Sequence, residues 1–265
     1  MSSMLSTYRN HLATRLPLDP RSDNLLIERH GRLSCHYAPF EHVNNGAKAV
    51  LVGITPGAQQ ACNALDALSR ALAAGASDSD ALLMAKETAS FSGPMRKNLI
   101  AMLDRIGLPS ALGLKTSGTL FESRSDLVHY TSALRYPVFL DGDNYSGTPA
   151  IMRTPALKAM VEKWLFEEIE QVRDAVWLPL GKEPSSVLRH CVSEGLLRED
   201  QVLDGLPHPS PSNAERRIYF LGLKSRDKLS VKTNPDLLDT ALIKLTAQVT
   251  RYGMAESALH AGAVQ

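Results

Sequence analysis

Two stiff loops, each placed where a short apolar strand is expected to end, constrain this chain more than any other feature of its sequence. Residues 53–57 read Gly-Ile-Thr-Pro-Gly and directly follow four apolar residues at 49–52. Residues 208–212 read His-Pro-Ser-Pro-Ser and follow a largely apolar stretch at 202–206. Proline and glycine punctuate the backbone at such points, so we expect each loop to hold a polar side chain in place. We name them the first loop (53–57) and the second loop (208–212).

The order of predicted strands and helices indicates an α/β fold. Core strands are expected at residues 48–53, 126–134, 174–180 and 202–206. Apolar residues at helical spacing predict helices at 58–74, 78–89, 95–106, 155–169 and from 235 onward. This alternation predicts a three-layer α/β/α sandwich around a short, mostly parallel, four-stranded central sheet. Both loops would leave the carboxyl edge of that sheet, where α/β proteins bind their ligands.

The two ends of the chain are predicted to decorate this core. A length of 265 residues suits a single domain spanning residues 1–265, with its core at about 48–222. An amphipathic helix is expected at residues 2–15 and a β-hairpin at 25–40. The tail after Gly253 is rich in small residues, and we expect it to fray.

Composition excludes several classes of protein. Hydrophobic residues make up 44% of the chain and charged residues 22%, as in ordinary soluble proteins, and no apolar run is long enough to span a membrane. The N-terminus lacks a secretory pattern, and three cysteines without CxxC spacing do not suggest a disulfide framework. We therefore expect a cytoplasmic protein. The histidines show no helical pair, so no metal site is predicted.

A local excess of positive charge follows the second loop. The net charge of the whole chain is only +1, which neither demands nor excludes nucleic acid. Between Glu215 and Lys232, however, six basic residues stand against two acidic ones. A solvated surface face would explain this segment, but its place beside a candidate site favours contact with phosphates.

Together the two loops resemble the paired active-site motifs of the uracil-DNA glycosylase superfamily, a Gly-x-x-Pro-Gly loop and a late His-Pro-Ser-Pro loop. The resemblance covers roughly residues 48–222. It implies hydrolysis of the N-glycosidic bond of a base flipped out of DNA, which leaves an abasic site. It further implies an enzyme without a cofactor, with DNA as its partner. Apart from the resemblance, we expect no attachment to a membrane, and a monomer, although the sequence leaves the oligomeric state open.

The resemblance also assigns roles around the base. His208 would donate a hydrogen bond to the departing base, and Phe91 would stack on it. Gly53 and Ile54 would let the backbone approach the base, and Ser132 is the positional match for the residue that reads its edge. Each assignment has an ordinary structural alternative. His208 would cap a backbone group of the loop, Phe91 would pack in the core, and Ser132 would pack within its strand.

The predicted DNA contacts lie in loops that resemble those pressing on the DNA backbone in this superfamily. For Ser185, the alternative role is to cap the N-terminus of a helix. The predicted contacts are Ser92, Ser185, Ser210, Ser212, Asn213, Arg216 and Arg217.

Three departures from the superfamily pattern concern the chemistry. Thr55 stands where strong water-activating members carry Asp or Asn, and a threonine can orient a water but cannot take its proton at neutral pH. We therefore expect a catalytic role for Thr55 limited to orienting the water. The second core strand lacks the Asn that reads uracil, and Ser212 replaces a Leu that fills the gap left by the flipped base.

These departures leave several functions open. A glycosylase of this kind would act on uracil or a modified pyrimidine, and the pattern resembles the phage-defence branch that removes glucosylated hydroxymethylcytosine from viral DNA. A protein that recognises a modified base without turnover is the second alternative, and a small-molecule or nucleotide-binding α/β protein is the third. Neither loop contains a lysine, so a Schiff-base lyase is not expected.

Overall fold

The computed structural model describes residues 4–12 and 19–262. Its backbone contacts divide the chain into two compact units. Unit 1 comprises Met1–Asn45, Val52–Ser92 and Tyr130–Arg173, and unit 2 comprises Gly46–Leu51, Gly93–His129 and Asp174–Gln265.

Helices account for much of the chain. They are α1 (Met4–Leu12), α2 (Ala58–Ala73), α3 (Asp78–Ala89), α4 (Pro94–Arg105), α5 (Leu108–Ala111), α6 (Pro155–Met160), α7 (Phe166–Gln171), α8 (Lys182–Ser193), α9 (Ala214–Phe220) and α10 (Pro235–Gly262). A π-helical turn at Val161–Leu165 joins α6 to α7. Several helices begin where the sequence predicts: the side chain of Ser77 accepts a hydrogen bond from Asp80 N, and Pro155 occupies the first turn of α6.

The strands form two sheets. They are β1 (Leu26–His30), β2 (Leu33–His36), β3 (Ala49–Gly53), β4 (Val128–Ser132), β5 (Val138–Leu140), β6 (Asp143–Asn144) and β7 (Val176–Pro179). One sheet is antiparallel in the order β1-β2-β5-β6, and it contains the predicted N-terminal hairpin. The other is parallel in the order β4-β3-β7. The fold class is therefore α/β, as predicted.

The parallel sheet is built on strands that are buried on both faces. All five residues of β3 and all four of β7 are buried, which suits the Val- and Leu-rich sequences of these strands. Within unit 2, Lys48 joins the beginnings of the strands: its N–H donates to Leu127 O and its carbonyl accepts from Val176 N. The sequence therefore identified the strand that leads into the first loop.

The predicted fourth strand at 202–206 is wrong beyond its first residues. Val202 forms a single parallel bridge with Trp177, and Leu203 N donates to Trp177 O. No further strand pairing follows Leu203, and two residues later Gly205 has a φ of +133°, a conformation outside the strand region. A side chain at Gly205 would also meet Ala241 of α10 at 2.9 Å, so only glycine fits at this point.

The C-terminal tail also differs from expectation. Helix α10 continues past Gly253 as far as Gly262, because the segment combines Ala, Met, Glu and Leu, which are good helix formers. The predicted N-terminal helix is confirmed over Met4–Leu12, and the remainder of that prediction lies outside the described residues.

Candidate functional site

The first loop leaves β3 and is held by the chain that follows β4. Ala133 N donates to Gly53 O at 2.8 Å, and Leu134 N donates to Ile54 O at 3.0 Å. The backbone carbonyls of Gly53 and Ile54 are thus already engaged. The loop keeps a defined shape in unit 1 without any ligand.

Thr55 is tied to the same neighbouring segment through its hydroxyl group. The hydroxyl donates to Tyr136 O at 2.9 Å and accepts a hydrogen bond from Val138 N at 3.1 Å. A hydroxyl has one hydrogen and two lone pairs, so a single lone pair is left over. Thr55 can therefore accept from a water molecule but cannot donate to one, and its main task in this geometry is to fix the loop.

The segment that anchors Thr55 is itself anchored by a buried ion pair. Arg135 Nε donates to Glu168 Oε1 at 2.5 Å, and its Nη2 donates to Trp164 O at 2.6 Å. Trp164 lies in the π-helical turn, where backbone carbonyls can be released from the regular helical ladder. Glu167 Oε2 also lies 3.5 Å from Arg135 Nη1, so the guanidinium is held by two carboxylates, and replacing Arg135 would remove the cation that pairs with the buried Glu168 carboxylate.

The beginning of α2 is capped by two side-chain amides. Gln60 Oε1 accepts from Gly57 N at 3.1 Å, and Asn144 Oδ1 accepts from Ala58 N at 2.8 Å. Sequence reasoning did not single out Asn144, which lies 86 positions from Ala58 and reaches it only through the pairing of β5 with β6. In the sequence, Asn144 belongs to a polar stretch, and nothing in that stretch indicates a contact with the beginning of α2.

Three of the predicted base-binding residues come together in unit 1. A side chain added at Gly53 would lie 3.3 Å from Ser132 Oγ and 3.7 Å from the ring of Phe91. The absence of a Cβ at Gly53 therefore lets an aromatic ring and a hydroxyl pack closely against the end of β3. Ile54, the fourth predicted member, is partly exposed in the loop next to Gly53.

Phe91 adopts an unusual backbone conformation. Its φ is +49°, an outlier for a bulky residue, and such strain clusters at ligand sites. The residue is 7% exposed, and its ring packs edge-on against Tyr130, with centroids 6.1 Å apart and planes at 67°. The ring position is thus defined by Tyr130 and Gly53.

The second loop, in unit 2, fixes the tautomer of His208. Ser210 N donates to His208 Nδ1 at 3.2 Å, so Nδ1 is an acceptor and the hydrogen of the neutral ring is on Nε2. Burial lowers the pKa of His208 from its usual value, which keeps the ring neutral at pH 7. Among the described residues no hydrogen-bond partner is found for Nε2.

The backbone around His208 is held from three sides. Asn213 Nδ2 donates to His208 O at 3.0 Å, and Asn98 Nδ2 of α4 donates to Pro209 O at 2.8 Å. Gly181, at a φ of +95°, approaches so closely that a side chain there would lie 3.3 Å from His208 Cβ. No pattern in the sequence indicates a role for Asn98, a polar residue of α4 that lies 111 positions from its partner.

The predicted DNA contacts occupy different environments. The prediction that Ser185 contacts DNA is wrong, because the residue is buried. Its hydroxyl donates to Asp204 and to Gly181 O, which joins α8 to the segment that precedes the second loop. Ser210 and Ser212 share a hydrogen bond of 2.8 Å between their hydroxyls. The side-chain amide of Asn213 donates to His208 O within the second loop. Ser92 is half-buried, and its hydroxyl accepts from Asn63 Nδ2 at 3.5 Å.

The basic segment after the second loop is less positive than its sequence suggests. Lys224 is paired with Glu215 at 2.7 Å, and Arg226 is paired with Asp236 at 2.5 Å. Arg216 is exposed and donates to Lys232 O, whereas Arg217 is half-buried with its Nε buried and unpartnered within the described part of the chain. The excess charge therefore resides on the cations that have no acidic neighbour.

Three further observations concern the chain outside the loops. Cys35, Cys62 and Cys191 are all free. Across residues 4–12 and 19–262, no three His, Cys, Asp or Glu side chains are grouped so that they could hold a metal ion. No helix in those same ranges has the length and apolar character needed to cross a membrane.

Comparison with known proteins gives one relationship of substantial length. The chain is 33% identical over 229 residues to the uncharacterized protein YoxB of Bacillus subtilis (strain 168), a match that covers 85% of this chain and 90% of YoxB. The chain therefore belongs to the YoxB family. Each loop lies farther from the nearer end of the chain than the number of residues that the match leaves uncovered. Both loops therefore fall within the matched part of the chain. No protein-family model and no solved structure matches the chain.

Proposed function

We propose that this protein is a cytoplasmic, monomeric DNA glycosylase that hydrolyses the N-glycosidic bond of a flipped-out uracil or modified pyrimidine. The observation that carries the proposal is the state of His208: a neutral imidazole with Nδ1 engaged by Ser210 N and its hydrogen on Nε2. This places one hydrogen-bond donor at a fixed point of a half-exposed loop.

Such a donor suits the departure of a base. As the glycosidic bond breaks, positive charge develops on the sugar and negative charge on the base. A preorganised donor stabilises that charge without reorganising, and removing one donor of this kind from an enzyme lowers the rate about 10²–10³-fold. The contacts of Asn98 and Asn213 to the loop carbonyls supply the preorganisation.

The arrangement in unit 1 supports contact with a planar base. Phe91 offers a ring, Ser132 offers a hydroxyl, and Gly53, which has no side chain, brings both close to the backbone at the end of β3. A single hydroxyl reads a base edge less strictly than a bidentate amide, which favours a modified pyrimidine as readily as uracil. The limited hydrogen-bonding capacity of Thr55 means that leaving-group stabilisation, rather than proton abstraction from water, provides most of the rate.

Base release from defined DNA substrates tests this proposal. The panel contains uracil, a thymine mismatch, hydroxymethylcytosine and glucosylated hydroxymethylcytosine, and free bases are identified by mass spectrometry. We expect release from at least one substrate by the native protein and by His30→Ala, which alters an exposed histidine of β1, and little release by His208→Ala. Absence of release from every substrate would refute the glycosylase.

The commitment of the Thr55 hydroxyl favours one competing function. A protein without a group that activates water could hold a modified base and not release it. Tight binding of one modified duplex, weakened by Phe91→Ala and accompanied by no free base, would establish this function instead.

A further inference from the structure

The segment after α9 is ordered by one carboxylate. We name residues 222–233 the basic loop. Glu215 accepts hydrogen bonds from Lys224 Nζ at 2.7 Å, Ser230 N at 3.1 Å, Ser230 Oγ at 2.5 Å and Thr233 Oγ1 at 2.6 Å. These four donors hold the pKa of Glu215 well below its usual range, with the Lys224 contact as the largest cause. The carboxylate stays ionised near neutral pH, so the basic loop keeps its shape although most of its residues are exposed.

This ordered loop presents apolar side chains to solvent. Val231 is fully exposed and stands between Ser230 and Thr233, two of the residues that Glu215 fixes. Leu223 is 73% exposed at the other end of the basic loop. An isolated exposed aliphatic residue is common, but these two are displayed on a segment that the protein has already ordered.

The same surface carries the unneutralised cations. Lys228 and Lys232 are exposed, and within the described residues neither has an acidic partner. Arg216 is exposed and donates to Lys232 O, which places its guanidinium beside the same end of the loop. Arg105 of α4 approaches the other end, since a side chain at Gly222 would lie 3.8 Å from its Nη2. Positive charge and exposed aliphatic groups therefore occur together.

We propose that the basic loop is a docking surface for duplex DNA, in which Lys228 and Lys232 contact phosphates and Val231 packs against the groove wall. The positive charge favours a polyanion as the partner. The choice of DNA rests on the proposed function, since only α9 separates the basic loop from the second loop, where the base would be released. A lipid surface is disfavoured, since the loop contains no Trp, Tyr or Phe to enter the interface.

Equilibrium binding of the full chain to an undamaged 20-base-pair duplex, followed by fluorescence anisotropy across a salt series, tests the phosphate contacts. Lys228→Ala with Lys232→Ala should weaken binding and lower the slope of log affinity against log salt by about 2, because each phosphate contact contributes about 0.9. Val231→Ser should weaken binding about fivefold and leave the slope unchanged. The controls are Lys244→Ala and Ile243→Ser, which alter an exposed lysine and an exposed isoleucine of α10.

A third variant separates an ordered surface from a simple patch of charge. Glu215→Ala removes an acidic group and makes the segment more positive, so charge alone would tighten duplex binding. We expect weaker binding instead, because the basic loop loses four hydrogen bonds, with the thermal transition of the variant recorded to establish that it folds. Tighter binding by Glu215→Ala would overturn the proposal of a pre-ordered surface.

The outcome for the basic loop is independent of the outcome for catalysis. If the native protein releases a base but the loop variants bind duplex as the α10 controls do, the docking surface is wrong and the glycosylase stands. If no base is released but the loop variants lose affinity, the docking surface stands without the glycosylase. Stronger co-sedimentation with vesicles of phosphatidylcholine and phosphatidylserine than binding to duplex would replace DNA with a membrane and overturn the proposal.

Discussion

The first and second loops are both fixed by hydrogen bonds, but the bonds fall on different atoms. In the first loop they fall on the carbonyls of Gly53 and Ile54 and also on the side chain of interest, since the Thr55 hydroxyl donates to Tyr136 O and accepts from Val138 N. In the second loop they fall on the carbonyls of His208 and Pro209 and on Nδ1, so Nε2 is left to act on a ligand. The role of a residue in a motif therefore depends on which of its polar atoms the fold leaves unused.

The largest effect on activity should come from the second loop. His208→Ala is expected to lower the single-turnover rate of base release about 10²–10³-fold, with little change in affinity for the substrate duplex, because the donor acts on the departing base. Measurement of the rate and of the binding constant on the same DNA separates the two. An equal loss in both would mean that His208 only binds DNA, and the contrast between the loops would fail.

Phe91 should give the next largest effect, and it should appear in recognition. Phe91→Ala removes a stacking surface worth about 1–3 kcal/mol per base, so we expect binding of DNA with the cognate base to weaken correspondingly. Binding of undamaged duplex is the internal reference, since it involves no flipped base. Equal weakening for both duplexes would indicate that the ring serves only to pack against Tyr130.

Thr55 should affect stability more than rate. Thr55→Val keeps the shape of the side chain but leaves Val138 N and Tyr136 O unsatisfied, at a cost of about 1–3 kcal/mol in the free energy of unfolding. The rate per folded molecule should stay within a few-fold of the native value. Denaturant unfolding and single-turnover kinetics measure the two, and Thr55→Ser, which keeps the hydroxyl, is the matched control. A large loss of rate in a fully folded Thr55→Val protein would restore a direct catalytic role.

The smallest expected effect is that of pH above neutrality. Because burial lowers the pKa of His208 in the folded protein, the ring is neutral at pH 7, and base release should change little between pH 7 and 8. As the pH falls below the ordinary histidine value of about 6.5, the unfolded chain binds protons that the folded one resists, so stability declines, and the rate declines as the folded ring is protonated. A rate that rises on acidification through pH 6.5 would identify the imidazolium as the active form and contradict the proposed state of His208.

Local patterns in the sequence predicted most of the elements that position the loops. Strand β3, the first loop and α2 follow from an apolar run, a Pro-Gly turn and helical spacing, all within 25 residues or so of chain. The proximity of Gly53, Phe91 and Ser132 was expected from the resemblance to a known superfamily. These features depend on neighbours in sequence or on a known arrangement, which is why they could be predicted.

The remainder depends on contacts between distant parts of the chain. Val202 pairs with Trp177, but the pairing does not extend past Leu203, and no pattern in residues 202–206 reveals that α10 approaches Gly205. Ser185 looks like a loop serine in the sequence, yet the Asp204 carboxylate removes it from the surface. Asn98 and Asn144 are ordinary polar residues until folding brings a carbonyl or an N–H within reach.

The anchoring of the second loop has a consequence for how mutations could reach it. Asn98 and Asn213 hold the carbonyls of Pro209 and His208, and Ser210 N holds Nδ1, so the position of Nε2 depends on residues of unit 2 alone. A substitution at Asn98 would therefore disturb the loop from a helix 111 positions away, although the motif at 208–212 itself is unchanged.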